Sequence, residues 1–104
     1  MSLYNLKILT PEKKIFNDEV SSITVTSKHG LLTVLARHAP MVAALAEGPI
    51  VVKTKNETIT GRAGNGILQV ARNECAVMVH SFKWNNDELT KVTDEEMDVI
   101  NDML

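Results

Sequence analysis

The sequence predicts an all-β sandwich or barrel followed by one short helix. Three observations carry that reading. About four-fifths of the 104 residues falls into short, largely alternating apolar runs. Clusters of Gly, Pro, Asn and charged residues separate those runs at the spacing of strands joined by turns. From Asn85 onward the chain is acidic, free of Gly and Pro, and follows a helical period. The boundary at Trp84 divides a β domain, 1–84, from a helical segment, 85–104.

The elements follow in order. Leu6 and Ile8, then Ile15 and Phe16, flank Thr10-Pro11-Glu12-Lys13, a reverse turn in which Pro11 pre-sets its own backbone angle. Between Val20 and Thr26, Ile23 and Val25 share a face while Val20 has the opposite parity; a bulge near Ser21-Ser22 reconciles them. Lys28-His29-Gly30 turns the chain into a strand from Leu31 to Leu35. Ala36-Arg37-His38-Ala39-Pro40 is a loop. Met41 to Leu45 fits a strand or one helical turn, and periodicity does not choose between them. Glu47-Gly48 precedes a strand from Pro49 to Thr54, and Lys55-Asn56-Glu57 connects it to Thr58 to Arg62. Gly64-Asn65-Gly66 is the strongest turn signal, read as a hairpin because these residues tolerate positive φ. Ile67 to Ala71 is a strand, and Arg72-Asn73-Glu74 turns the chain again. Cys75 to His80 is apolar on both faces, the pattern of a central strand covered on both sides. The expected core includes Ile23, Val25, Val34, Val70, Val77 and Val79. In the last segment Thr93-Asp94-Glu95-Glu96 forms a capping box, with Val92 and Met97 as its hydrophobic staple. Met97, Ile100 and Leu104 make a narrow apolar stripe.

Composition excludes several classes of function. A net charge of -2 supplies no attraction to nucleic acid or anionic lipid. The single Cys75 forms no internal disulfide and suits a reducing compartment. The N-terminal residues lack a signal-peptide apolar core. The best apolar run, Ala39 to Ala46, is interrupted by Pro40 and is too short to span a bilayer, so no direct membrane insertion is expected. His29, His38 and His80 match no metal-ligand spacing. Cys75 reads as a small buried hydrophobe rather than a nucleophile served by His80. Gly61-Arg62-Ala63-Gly64-Asn65-Gly66 imitates a phosphate loop, but strand-like residues follow it, and an anion cradle needs a helix N-terminus there. Arg37-His38 is the polar pair that reads as functional. Without a catalytic constellation, a small β domain of this kind is a binding or assembly module.

The order of motifs resembles one family. Leu6-Lys7-Ile8-Leu9-Thr10-Pro11-Glu12 with Phe16 is similar to the first hairpin of the F-type ATP synthase epsilon subunit, called delta in mitochondria. Glu19-Val20-Ser21-Ser22-Ile23-Thr24-Val25 resembles that family's next strand. Gly30-Leu31-Leu32-Thr33-Val34-Leu35-Ala36-Arg37-His38-Ala39-Pro40 resembles its Gly-rich stretch ending in Leu-Pro-x-His-Ala-Pro. Gly64-Asn65-Gly66-Ile67-Leu68-Gln69-Val70 is similar to its Ser-Gly-Gly-x-x-x-Val strand entry.

The resemblance implies a flattened two-sheet β-sandwich of about ten strands with a helical C-terminal part. It implies a non-catalytic rotor subunit of the central stalk, with the gamma subunit and the c-ring as partners. Its location would be the cytoplasmic face of a bacterial membrane, as a peripheral part of the complex. By position, Gly30, Leu31 and Arg37 would face the c-ring, and Thr10, His38 and Ala43 would face gamma. The sequence departs from the family where Leu31 replaces a frequent Glu, Thr33 a Gly, Ala36 a Pro and Arg37 a Gly. After Trp84 there is room for one helix rather than a two-helix hairpin. The Ile/Leu-Asp-x-x-Arg-Ala motif is missing, so neither regulatory ATP nor another cofactor is expected. The rival reading is a paralogous β-sandwich module serving another assembly.

Overall fold

Strand-forming runs that each bury one face need a second layer to cover them. The structure, a computed structural model, describes residues 2–85 together with 91 and 92. Its strands are β1 (Tyr4–Leu9), β2 (Lys14–Val20), β3 (Ser22–Ser27), β4 (Gly30–Leu35), β5 (Met41–Leu45) and β6 (Gly48–Lys53). They continue as β7 (Thr58–Ala63), β8 (Gly66–Ala71), β9 (Glu74–Val79), β10 (Phe82–Trp84) and the short β11 (Lys91–Val92). One layer has the order β10-β7-β6-β3-β4, and the other β5-β8-β9-β1-β2. The layers join at a single pair, Ser27 with Leu45. Their far edges, β2 and β10, do not pair; there the Phe16 and Trp84 rings meet edge-on at 6.1 Å between centroids. The result is a sandwich rather than a closed barrel.

Alternation fills the space between the layers. Tyr4, Leu6 and Ile8 of β1 point inward, as do Cys75, Val77 and Val79 of β9, while Ile23, Val25 and Val34 meet them from the other layer. With aromatics at 4% of the chain, this core is largely aliphatic. Each fully buried Leu, Ile or Val contributes about 1.5–3 kcal/mol relative to exposure. All six residues expected in the core, Ile23, Val25, Val34, Val70, Val77 and Val79, are buried. Tyr4 ties the layers together, its phenol donating to the Val34 carbonyl at 2.6 Å.

The structure corrects three expectations. Val20 to Thr26 is not one bulged strand. Val20 ends β2 opposite Tyr4, and Ser22 opens β3 in the other layer. Ser21 makes the crossing, with its N–H 2.7 Å and its Oγ 3.0 Å from the Lys53 carbonyl. The parity of Val20 changes because the chain changes sheets, so Val20 and Ile23 approach the core from opposite sides. Secondly, Gly64-Asn65-Gly66 does not close a hairpin, since β7 and β8 lie in different layers. Neither glycine has positive φ. A Cβ on Gly66 would collide with the Met78 carbonyl oxygen, and one on Gly64 would lie 2.7 Å from Ser81 Oγ. Gly66 is small because neighbouring backbone passes close by, and Gly64 because the Ser81 side chain does. Thirdly, β9 is central in its layer but covered on one side only: Met78 is 39% exposed and His80 is exposed.

The Met41 to Leu45 ambiguity resolves as a strand, since its whole length pairs with β8. The helix expected within 85–104, with its capping box and apolar stripe, lies outside the described residues. Within that segment Asn85 is described, its N–H donating to the Thr60 carbonyl at 3.0 Å, and Lys91–Val92 is extended and pairs with Ile59 and Thr58 of β7.

Candidate interaction surface

Register assigns the loops to two ends. At one end lie the β1–β2 turn, the β3–β4 hairpin and the β7–β8 and β9–β10 crossings. At the other lie the β4–β5 loop, the β6–β7 and β8–β9 turns, and the start of β1.

The first end carries Gly30, Leu31 and Thr10. Gly30 sits at φ 118, a left-handed value that a side chain would strain. The Ser27 hydroxyl braces this tip, accepting from the His29 N–H at 3.1 Å and donating to the Gly30 carbonyl at 2.7 Å. Leu31 follows, 73% exposed. Thr10 closes its own turn, its N–H donating to the Lys13 carbonyl at 2.9 Å. Between this turn and Lys28 opens a cleft of about 590 Å³, with Leu9, Ile67 and Met78 among its apolar lining and His80 also contributing.

The second end carries Arg37 and His38. Arg37 stands at φ 63, and its N–H donates to Asn73 Oδ1 at 2.8 Å. Asn73 in turn donates through Nδ2 to the Leu3 carbonyl at 3.3 Å, locking loop, turn and N-terminal strand together. Arg72 and Asn73 both have positive φ, 52 and 61, as a two-residue type I′ hairpin requires. The Gly that the resemblance implies at position 37 therefore has a backbone reason, and this chain accepts the strain of an arginine there. The only ion pair among the described residues joins Arg62 to Glu47 at 3.8 Å, so Arg37 has no carboxylate partner among them. His38 turns its Nδ1 to the Ala39 carbonyl at 2.8 Å.

The six candidate residues thus do not converge. Gly30 and Leu31 are separated from Arg37 by the length of β4, about 3.3 Å per residue. Thr10 shares the Gly30 end, His38 the Arg37 end, and Ala43 lies between them on β5. Ala43 is half-buried opposite Leu68, while its neighbours Val42 and Ala44 are the exposed residues of that strand. Sequence reasoning overlooked the exposed apolar side chains Leu35 (58% exposed), Val42 (70%), Ile67 (48%) and Met78. Alternation along each strand was the signal that marked these positions as outward-facing.

The chemistry-bearing side chains are dispersed. Cys75 points into the core, and burial pushes its thiol up to about 12. His80 is exposed just beyond the far end of the same strand. Among the described residues no three His, Cys, Asp or Glu side chains come together. Strands lie on both sides of the glycine-rich stretch from Gly61 to Gly66, so no helix amides face an anion there.

Comparison with known proteins gives this surface a context. Residues 3–85 match the family described as "ATP synthase, Delta/Epsilon chain, beta-sandwich domain". The chain is similar to an ATP synthase epsilon chain of Wolbachia pipientis wMel, 34% identical over 80% of this chain and 74% of the relative. It is 30% identical to the chloroplastic ATP synthase epsilon chain of Arabidopsis thaliana, over 80% of this chain and 63% of that one. With the Bartonella henselae epsilon chain it shares 33% identity over 70% of this chain and 53% of that one. The match therefore spans between half and three-quarters of these relatives. A solved chain from the Euglena gracilis mitochondrial ATP synthase assembly of OSCP, F1 and c-ring has the same fold. It superposes with a TM-score of 0.78 at 17% identity, over 99% of this chain and 64% of that one. From the first strand through Asn85, this chain belongs to the β-sandwich family of F-type ATP synthase epsilon subunits.

Proposed function

We propose that the chain is a non-catalytic subunit of the central stalk of an F-type ATP synthase, seated on gamma and the c-ring. It would turn with them as one body and couple ion flow through the ring to ATP synthesis in other subunits. Family membership from residue 3 to residue 85 is the observation that carries this reading. The sandwich suits the role, because braced loops at both ends of a rigid scaffold present side chains to partners. Among the described residues no helix is long and apolar enough to cross a membrane, consistent with attachment through partner subunits.

Within this reading Gly30, Leu31 and Arg37 face the ring, and Thr10, His38 and Ala43 face gamma. Since each set is divided between the two ends, a partner reaching all its residues must lie along the β4–β5 side of the sandwich. Leu31 supplies apolar area, favouring contact by about 25 cal/mol per Å² buried. Arg37 supplies a planar cation for a partner carboxylate, which contributes only about 0–1 kcal/mol at an exposed rim. Co-purification with the cognate gamma subunit and c-ring tests the assignment. The variant Leu31→Asp/Arg37→Glu should keep the melting temperature of the free chain and lose rotor association. Intact association of the variant would remove these residues from the interface. Failure of the unmodified chain to bind gamma would point instead to a paralogous module of another assembly.

A further inference from the structure

Strand β4 is an open edge. It pairs with β3 on one side and, among the described residues, with nothing on the other. Gly30 closes a two-residue hairpin with Ser27, so the alternation of an antiparallel ladder fixes the rest. Gly30, Leu32 and Val34 direct their main-chain groups to β3, whereas Leu31, Thr33 and Leu35 direct theirs outward. The Leu35 carbonyl accepts from the His38 N–H at 3.3 Å. The remaining outward groups, the N–H and C=O of Leu31 and Thr33 and the N–H of Leu35, have no main-chain partner among the described residues.

Exposed edges are normally blunted by charge, proline or a bulge. The β2 edge carries Lys14, Asp18 and Glu19, all exposed. Strand β5 follows Pro40 and is tied to β3 through Leu45. From Gly30 to Ala36, β4 has no charge, no proline and an unbroken register with β3. Its solvent-facing side chains, Leu31, Thr33 and Leu35, are apolar or β-branched.

We propose that β4 is a self-association edge, pairing antiparallel with the β4 of a second copy of this chain across a two-fold axis through Thr33. The register is self-complementary, as an isologous contact requires. Thr33 meets Thr33 in a reciprocal hydrogen-bonded pair, and Leu31 of each copy faces Leu35 of the other on both sides of it. The two leucines of each face would then cover one another without bringing like charges together. A six-residue edge buries less than the about 800 Å² per partner of a standard interface, so the dimer is weak and concentration-dependent. It forms in the chain outside any larger assembly and does not rest on the function proposed above.

Sedimentation velocity on the full chain, from micromolar to millimolar concentration, is the test. The expected result is reversible growth towards twice the chain mass, with hydrogen-exchange protection of the Leu31 and Thr33 amides rising in step. Thr33→Pro removes a main-chain N–H that β3 does not use, together with the Thr33 hydroxyl contact to Thr24 Oγ1 at 2.8 Å, and should weaken association at least about tenfold. Leu31→Lys/Leu35→Lys places cations opposite one another at exposed positions and should abolish association while leaving the melting temperature unchanged. A monomer throughout the range would overturn the proposal. So would a dimer that withstands the paired lysines, or one whose new amide protection falls on another strand.

Discussion

Cys75 and Tyr4 couple burial to pH. Removal from water raises the Cys75 thiol from 9.0 to about 12. Desolvation, reinforced by Cys75, also raises the Tyr4 phenol above its ordinary value, with the Ile23 backbone opposing. A group with a raised folded value contributes stability that is complete below its unfolded value and is lost as pH climbs towards the folded one. For Cys75 that window runs from pH 9 to 12, with a loss approaching about 1.4 kcal/mol per pH unit. Denaturant titrations at pH 7 to 11 should show stability falling above pH 9, and Cys75→Ala should flatten that fall while lowering stability at pH 7. Arg37 illustrates backbone strain instead. Its left-handed φ of 63 disfavours a side chain, so Arg37→Gly should change stability by less than about 1 kcal/mol, because relief of strain offsets added chain entropy. Arg37→Val should cost more than the glycine variant, since a β-branched residue tolerates that conformation worst. Thermal melts of the two variants rank them directly.

Close approach at the strand crossings governs the element scale. Gly66 begins β8 where the Met78 carbonyl occupies the space a Cβ would take. Gly66→Ala must therefore push β8 from β9 and should cost about 1–3 kcal/mol, an overpacking penalty. Stability measurements on Gly66→Ala and Gly64→Ala would separate a rigid backbone obstacle from the Ser81 side chain, which has room to rotate. β3 is the strand on which both layers depend, pairing with β4, β5 and β6. Ile23 lies fully buried near its start. Ile23→Ala should cost about 2–4 kcal/mol, from lost transfer energy plus a residual cavity. An unchanged denaturation midpoint would be incompatible with that position.

Over the whole molecule, the sandwich holds two sets of loops apart by the length of its strands. The 104 residues contain no Ile/Leu-Asp-x-x-Arg-Ala pattern. Calorimetry with millimolar Mg-ATP is accordingly expected to give no saturable isotherm. A clear isotherm would locate a nucleotide site elsewhere on this surface.

Alternation and turn chemistry determined most of the strands, because a half-buried strand imposes its period of two directly on the residues. Ile23, Val25, Val77 and Val79 were legible as core for that reason, and Arg72-Asn73 as a turn. The candidate contacts at Gly30, Leu31, Arg37 and His38 came from motif order instead, which carries no distances; only the assembled sheets placed two of them at each end. Tertiary structure also decided which strands face each other. The Ser21 crossing imitates a bulge, and Gly64-Asn65-Gly66 imitates a hairpin, since a chain changing layers and one reversing within a layer both need small residues and a break in parity. The open side of β4 was equally hidden, because an edge is defined by the neighbour it lacks rather than by its own residues.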